Sequence, residues 1–168
     1  TDRTKTSLAS DILTLSRYGG DRLDMVTSSY IAAQLWNEVF DTDDEIEKPD
    51  FAAYQNYDGG MKLFTYSDSD PELTASLTPY IAEYVDQTML AQYLNDNKDS
   101  AHALYALASL REPVLNELTE MAAAENLDVI DYLYTALALC ELSETDTAAE
   151  IFEKHIDPLI ENYEPSKR

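Results

Sequence analysis

The sequence predicts an all-α fold built from antiparallel helical hairpins. Over most of the 168 residues, apolar side chains recur three and four positions apart, as they do on one face of an amphipathic helix. The links between these stretches are short, and short links join antiparallel neighbours. The chain has only 4 Gly and 6 Pro, too few for a turn-rich sandwich or barrel. Apolar residues make up 45% of it, enough to form the core of one helical domain over residues 1–168.

Two helices are predicted in the N-terminal part of the chain. The first covers residues 7–18 and ends at Gly19 and Gly20, because glycine often follows the last turn of a helix. The second covers residues 28–40, where four side chains form one apolar stripe: Ala32, Leu35, Trp36 and Val39. A short helical turn is predicted for residues 50–55.

Residues 41–70 form the irregular part of the sequence, with an acidic loop at 41–49 and a tight turn at Asp58, Gly59 and Gly60. Because glycine adopts backbone angles that other residues avoid, we predict a positive φ at Gly59, at Gly60 or at both. The side chains of Gln55 and Asp58 are placed to bind amides of the turn. Residues 61–66 are predicted to run extended.

From residue 71 onward the helical pattern is regular. Asp70 is the predicted N-cap of the first of these helices, Pro71 its first residue, and Glu72 an acidic side chain at the positive end of the helix dipole. The predicted helices cover residues 71–84, 87–94, 100–110, 113–124, 129–142 and 146–160. Their regular spacing favours repeated hairpins over a four-helix bundle.

The chain is strongly acidic, with 33 acidic residues against 11 basic ones and a net charge of -22. Such a charge repels nucleic acid and anionic membrane surfaces, and it suits cationic partners. We therefore expect no nucleic-acid partner. We also expect no membrane insertion, because the apolar stretches are short and interrupted by charge.

The single cysteine excludes a disulfide within the chain. Cys140 ends an apolar run that begins at Leu137, and this position predicts a buried, inert thiol. No signal peptide is visible, and the first residue, Thr1, is not Met. We therefore expect a piece of a longer polypeptide.

One acidic pattern matches a catalytic motif. Residues 41–44, with Asp41, Asp43 and Asp44, match the Asp-x-Asp-Asp pattern of the proton donor in class II terpene cyclases. That chemistry needs a carboxylic acid kept protonated inside an apolar cavity. The motif instead continues into the charged run from Glu45 to Lys48, so we predict a solvated loop and no catalytic residue. A cyclase-type enzyme that uses Asp43 or Asp44 is the alternative.

Metal and nucleophile patterns are incomplete. Asp41, Asp43 and Glu45 alternate as at the start of an EF-hand, but Ile46 and Ala52 occupy the positions of its Gly and Glu. The histidines, His102 and His155, belong to no His-Glu-x-x-His pattern. The sequence therefore predicts neither a metal site nor a cofactor.

The pattern Gln-x-x-Asp-Gly-Gly at residues 55–60, followed by the bulky Met61, resembles a turn that recurs in α/α-toroid proteins. That group includes terpene cyclases, prenyltransferases and the thioester domains of alpha-macroglobulins. Residues 101–108 and 132–139 are similar to the Ala-Leu-Tyr-x-Leu-Ala helix of bacterial alpha-macroglobulins. The resemblance covers residues 51–156 and implies an incomplete α/α-toroid in which Gln55, Asp58, Gly59 and Gly60 form a structural turn.

The resemblance also implies a function. The thioester motif Gly-Cys-x-Glu-Gln is absent, because Glu141, Leu142 and Ser143 follow Cys140, so the chain resembles the later part of such a domain. We expect a non-enzymatic interaction or structural domain of a secreted or surface-attached bacterial protein. Its expected partners are other domains of the parent protein or a separate protein. A tetratricopeptide-like scaffold is a further alternative, although a 34-residue period does not extend along the chain.

Overall fold

A computed structural model describes residues 2–17, 19–124 and 127–161. Within these ranges the chain is helical and has no β-strand, and its isolated bridges pair Gln55 with Met61 and Lys62 with Ser69. The prediction of an all-α fold is therefore confirmed. The chain divides into two compact units, Thr1–Gln87 and Thr88–Arg168.

The first unit is built on two long helices followed by shorter elements. The elements are α1 (Asp2–Ser16), α2 (Leu23–Phe40), a 3₁₀ turn (Phe51–Tyr54), α3 (Pro71–Ile81) and a second 3₁₀ turn (Ala82–Tyr84). α1 packs along α2, and α2 contacts α3. Leu23, Phe51, Met61 and Ile81 are among the large side chains that are fully buried in the core of this unit.

α2 begins at Leu23, five residues before the predicted start. Ser28, where the helix was predicted to begin, lies inside the helix, and its hydroxyl donates to the Asp24 carbonyl at 2.7 Å. The first turn is favoured instead by the Asp24 carboxylate, which lies at the positive end of the helix dipole and accepts a hydrogen bond from the Met25 amide at 2.9 Å. The helix ends at Phe40 and is capped by Asp41, which has a left-handed conformation with φ of 52°.

α3 begins as the sequence predicts. The Asp70 side chain accepts a hydrogen bond from the Leu73 amide at 3.0 Å, and Pro71 occupies the first turn. The predicted helix over residues 71–84 ends earlier, at Ile81, and continues as a 3₁₀ turn. Pro79 lies in its last turn and lacks an amide hydrogen, which removes one α-helical hydrogen bond there.

The second unit is also helical. Its elements are α4 (Gln87–Asp96), α5 (Ala101–Ser109), α6 (Leu115–Ala122), α7 (Val129–Glu141), α8 (Thr145–Ile151), a π-helical turn (Phe152–Ile156) and α9 (Asp157–Glu161). α7 is central and packs against α5, α6 and α8. Several buried alanines on α5 and α7 leave room for close approach between these helices, among them Ala103, Ala106 and Ala138.

Side-chain caps fix the starts of two helices in the second unit. Ser100 accepts from the Ala103 amide at 3.1 Å, and Asp128 accepts from the Asp131 amide at 2.8 Å. The predicted helix over residues 113–124 starts later, at Leu115. The one predicted over 146–160 is interrupted by the π-helical turn at Phe152–Ile156.

Candidate interaction surfaces

The glycine turn has the predicted backbone conformation. Gly59 has φ of 93°, in the region that favours glycine, so the prediction of a positive φ at one of the two glycines is confirmed. The Gly59 amide donates to the Asn56 carbonyl at 3.0 Å, and the Asn56 amide donates to the Gly60 carbonyl at 2.8 Å. The Asp58 carboxylate accepts from the Gly60 amide at 3.0 Å and from the Ser69 hydroxyl at 2.7 Å.

Gln55 connects the turn to the end of the first unit. Its side-chain amide nitrogen donates to the Gly59 carbonyl at 3.2 Å and to the Asp86 carbonyl at 3.0 Å. Its side-chain oxygen accepts from the Asp86 amide at 2.8 Å. The polar groups of Gln55 and Asp58 are therefore engaged with the fold itself, which is the arrangement expected of a structural turn.

Met61, directly after the turn, anchors it in the core. Its side chain is fully buried, and its amide donates to the hydroxyl of Thr74 at 2.8 Å. That hydroxyl in turn donates to the Asp70 carbonyl at 2.6 Å. A buried amide therefore depends on one threonine of α3, because no water reaches it there.

The acidic loop faces solvent. Asp41, Asp43 and Asp44 are all exposed. The loop is held by Asn37, whose side-chain nitrogen donates to the backbone carbonyl of Asp44 at 2.8 Å and whose side-chain oxygen accepts from the side-chain hydroxyl of Thr42 at 2.8 Å. Because these carboxylates are exposed, their surroundings lack the apolar enclosure that a cyclase proton donor requires. Among the described residues, no group of three or more His, Cys, Asp or Glu is placed to hold a metal ion.

Both histidines stack on tyrosines of α7. The rings of His102 and Tyr134 lie 4.0 Å apart, and those of His155 and Tyr132 lie 3.8 Å apart. These near-parallel stacks contribute to packing within the second unit.

The prediction of a buried Cys140 is wrong, because its thiol is exposed. The buried face of α7 carries Tyr132, Thr135, Ala136, Ala138 and Leu139. A second row of apolar side chains follows the opposite face and remains in solvent: Ile130 is 57% exposed, Leu133 36% and Leu137 39%. With Cys140 these residues are spaced by three, four and three positions, and we call them the α7 stripe.

A second apolar surface lies in the first unit, between α1, α2 and α3. It is an open groove of about 350 Å³, which we call the three-helix groove, lined by Ile12, Leu15, Thr27, Ser28, Ile31, Ala32, Leu35, Leu77 and Tyr80. The residues of the apolar stripe predicted on α2 differ in their exposure. Ala32 is buried, whereas Leu35 is 40% exposed and Val39 54% exposed.

The floor of the groove contains an unusual polar group. Thr27 is 1% exposed, and its hydroxyl has no hydrogen-bond partner among the described residues. Thr27 differs in this from other helical threonines, whose hydroxyls donate to the carbonyl four positions earlier, as the Thr78 hydroxyl does to the Thr74 carbonyl at 2.7 Å. No local sequence pattern predicts this groove, because it depends on contacts between residues far apart in the chain.

No family model, curated protein or solved structure matches this chain. Among the described residues, no helix is both long enough and apolar enough to cross a membrane.

Proposed function

We propose that the chain is a non-enzymatic interaction domain of a larger protein. Its partner is another domain of the parent protein or a separate protein. The observation that carries this proposal is the α7 stripe, a continuous apolar row on a helix whose opposite face already forms the core of the second unit. Ordered rows of this kind, unlike scattered exposed leucines, are typical of surfaces that another protein covers.

The free energy that burial of the stripe would contribute indicates what kind of partner can cover it. Full burial of a large aliphatic side chain contributes about 1.5–3 kcal/mol, and the partly exposed Ile130, Leu133 and Leu137 have a substantial part of that still to gain. A separate partner must also overcome about 4–15 kcal/mol of lost translational and rotational freedom. A domain of the same polypeptide loses much less, because the linker keeps it at high effective concentration. The stripe alone therefore favours a partner in the same parent chain.

We further propose that the chain forms an incomplete α/α-toroid in a secreted or surface-attached bacterial protein similar to alpha-macroglobulins. It is supported by the sequence resemblance over residues 51–156 and by apolar helix faces that neighbouring hairpins of a complete toroid would cover. The exposed positions of Asp43 and Asp44 give no support to the cyclase alternative. A tetratricopeptide-like scaffold would use the same kind of surface, but it has no separate observation in its favour.

The proposal is tested by substituting the stripe in two contexts, the isolated chain and the chain together with its flanking domains. Leu137→Lys leaves the melting temperature of the isolated chain within a few degrees of the parent value, since this side chain already contacts solvent. In the longer protein the same change lowers the melting temperature or releases the domain from its neighbours. Thr147→Lys is the matched control, because Thr147 is exposed on α8 and the charge change is identical. Equal effects of Leu137→Lys in both contexts would contradict the proposal.

A further inference from the structure

We propose that the three-helix groove binds a cationic amphipathic α-helix of a partner protein. This inference rests on the proposed interaction function, and it assigns a second surface and the chemistry of its occupant. It concerns the first unit alone and is independent of the α7 stripe.

The apolar lining of the groove favours an apolar ligand surface. Ile12, Ala32 and Leu77 form its buried base, while the walls expose large apolar side chains of α1, α2 and α3. Leu15 is 48% exposed, Leu35 40% and Tyr80 54%. The volume of about 350 Å³ lies within the range of about 300–1,000 Å³ that is usual for binding clefts. An apolar ligand would remove these three side chains from water.

The walls of the groove also select a helix over an extended segment. All three walls are α-helices, whose backbone amides and carbonyls are paired within each helix. An extended peptide would find no strand edge to pair with, and its own backbone groups would lose water without replacement. A helix satisfies its backbone internally and presents side chains at i, i+3, i+4 and i+7 to such a groove. On α2 the groove extends from Thr27 to Leu35, about 12 Å or just over two helical turns.

The charges around the groove select a cationic occupant. Residues 1–87 contain 17 acidic side chains and six basic ones. Glu38 lies three positions after Leu35 on α2, and Asp11 lies four positions before Leu15 on α1, so each adjoins a wall residue along its own helix. Both are exposed, and neither forms an ion pair with another described residue.

Other occupants are opposed by charge. At the N-terminal end of α2 the Asp24 carboxylate is already paired with Arg22 at 2.8 Å, so the net charge there is closer to zero than at Glu38. A second copy of this chain brings another net charge of -22 to the contact, and an anionic membrane is repelled in the same way. Lysines or arginines on either side of two apolar turns would instead lie near Asp11 and Glu38.

The test uses a fluorescein-labelled Leu/Lys peptide of about 18 residues, or five helical turns, with leucines at helical spacing. A second peptide has glutamate in place of every lysine, and a third has the same composition in an alternating β pattern. Fluorescence anisotropy is measured with the full chain at about 0.15 M salt, where the Debye length is about 8 Å and distant charges are screened. We expect saturable one-to-one binding of the helical lysine peptide. The other two peptides should bind at least about tenfold more weakly.

Matched variants locate the binding site. Leu35→Lys should weaken binding at least about tenfold, since it places a charge in an apolar contact. Leu115→Lys, at an equally exposed leucine on α6 of the other unit and with the same charge change, should alter binding less than about twofold. Leu15→Lys provides a second groove variant, and circular dichroism establishes that each variant is folded. Asp11→Asn with Glu38→Gln should weaken binding of the lysine peptide while keeping the apolar lining.

Each contrary result overturns a defined part of the inference. Absence of saturable binding, or equal losses in Leu35→Lys and Leu115→Lys, would exclude the groove as the site. Equal affinity for the glutamate peptide would exclude a cationic ligand, and tighter binding of the alternating peptide would exclude a helix. A dimer in sedimentation that Leu35→Lys dissociates would identify a second copy as the occupant. None of these results affects the comparison of Leu137→Lys in the isolated chain and the longer protein, so the proposed function is tested separately.

Discussion

Replacement of Thr27 by valine should stabilise the first unit. The Thr27 side chain is 1% exposed, and its hydroxyl has no partner among the described residues. A buried polar group that lacks a hydrogen bond costs about 1–3 kcal/mol, and valine has nearly the same shape without that group. We therefore expect Thr27→Val to raise the free energy of unfolding by about 1 kcal/mol or more.

Thr74→Val is the matched control, because Thr74 is equally buried but its hydroxyl both accepts and donates a hydrogen bond. Its hydroxyl accepts from the Met61 amide at 2.8 Å and donates to the Asp70 carbonyl at 2.6 Å. Valine there leaves the Met61 amide buried without a partner, so we expect a loss of about 1–3 kcal/mol. The two threonine-to-valine changes should thus have opposite signs.

Urea unfolding followed by tryptophan fluorescence measures both effects in the relevant unit. Trp36 is the only tryptophan of the chain, and it lies on α2. A change in the midpoint at constant m-value reports a change in stability. If Thr27→Val lowers the free energy of unfolding as much as Thr74→Val does, the assignment of an unpaired hydroxyl at Thr27 is refuted.

Three other changes have defined outcomes. Gly59→Ala should destabilise the first unit by about 1 kcal/mol in urea unfolding, because φ of 93° strains a residue with a β-carbon, whereas Gly19→Ala, which meets no atom within 4 Å, should not. Joint replacement of Asp41, Asp43 and Asp44 by asparagine should keep the circular dichroism spectrum and leave the free energy of unfolding equal or slightly higher, because it relieves repulsion in a chain of net charge -22. A large loss of stability would show that these carboxylates make contacts. The hydrogen bond and ion pair with Arg22 lower the pKa of Asp24, so their contribution to stability is present above the pKa of Asp24 in the unfolded chain and is lost as pH falls through its folded pKa. Arg22→Gln should raise the Asp24 pKa in an NMR titration, and an unchanged titration would contradict the pairing.

The features predicted correctly from sequence are those that depend on near neighbours in the chain. Asp70 and Pro71 start α3 because a cap and a first-turn proline act within four residues. The positive φ at Gly59 follows from the tight turn between Asn56 and Gly60. The start of α2 was predicted too late because its apolar stripe was recognised only from Ala32 onward, whereas the helix begins at Leu23 with the Asp24 carboxylate in its first turn.

The candidate surfaces were not predictable, because periodicity identifies a shared face and does not show what covers it. α7 is apolar on both faces, so the run ending at Cys140 indicated burial where the structure exposes the thiol. Leu35 and Ala32 belong to one sequence stripe, but only Ala32 is covered. The three-helix groove brings Ile12 and Leu77 together across more than sixty positions, and no local pattern encodes that contact.

The most direct test of the interaction proposal uses the single exposed thiol at the end of the α7 stripe. The rate of maleimide alkylation of Cys140 is measured in the isolated chain and in the same chain joined to its flanking domains. A cysteine introduced as Thr147→Cys in a Cys140→Ser background controls for general access to the second unit. The proposal predicts alkylation of Cys140 at least about tenfold slower in the longer protein, which corresponds to about 1.4 kcal/mol of docking free energy, with no change at position 147. Equal rates at Cys140 in the two proteins would contradict it.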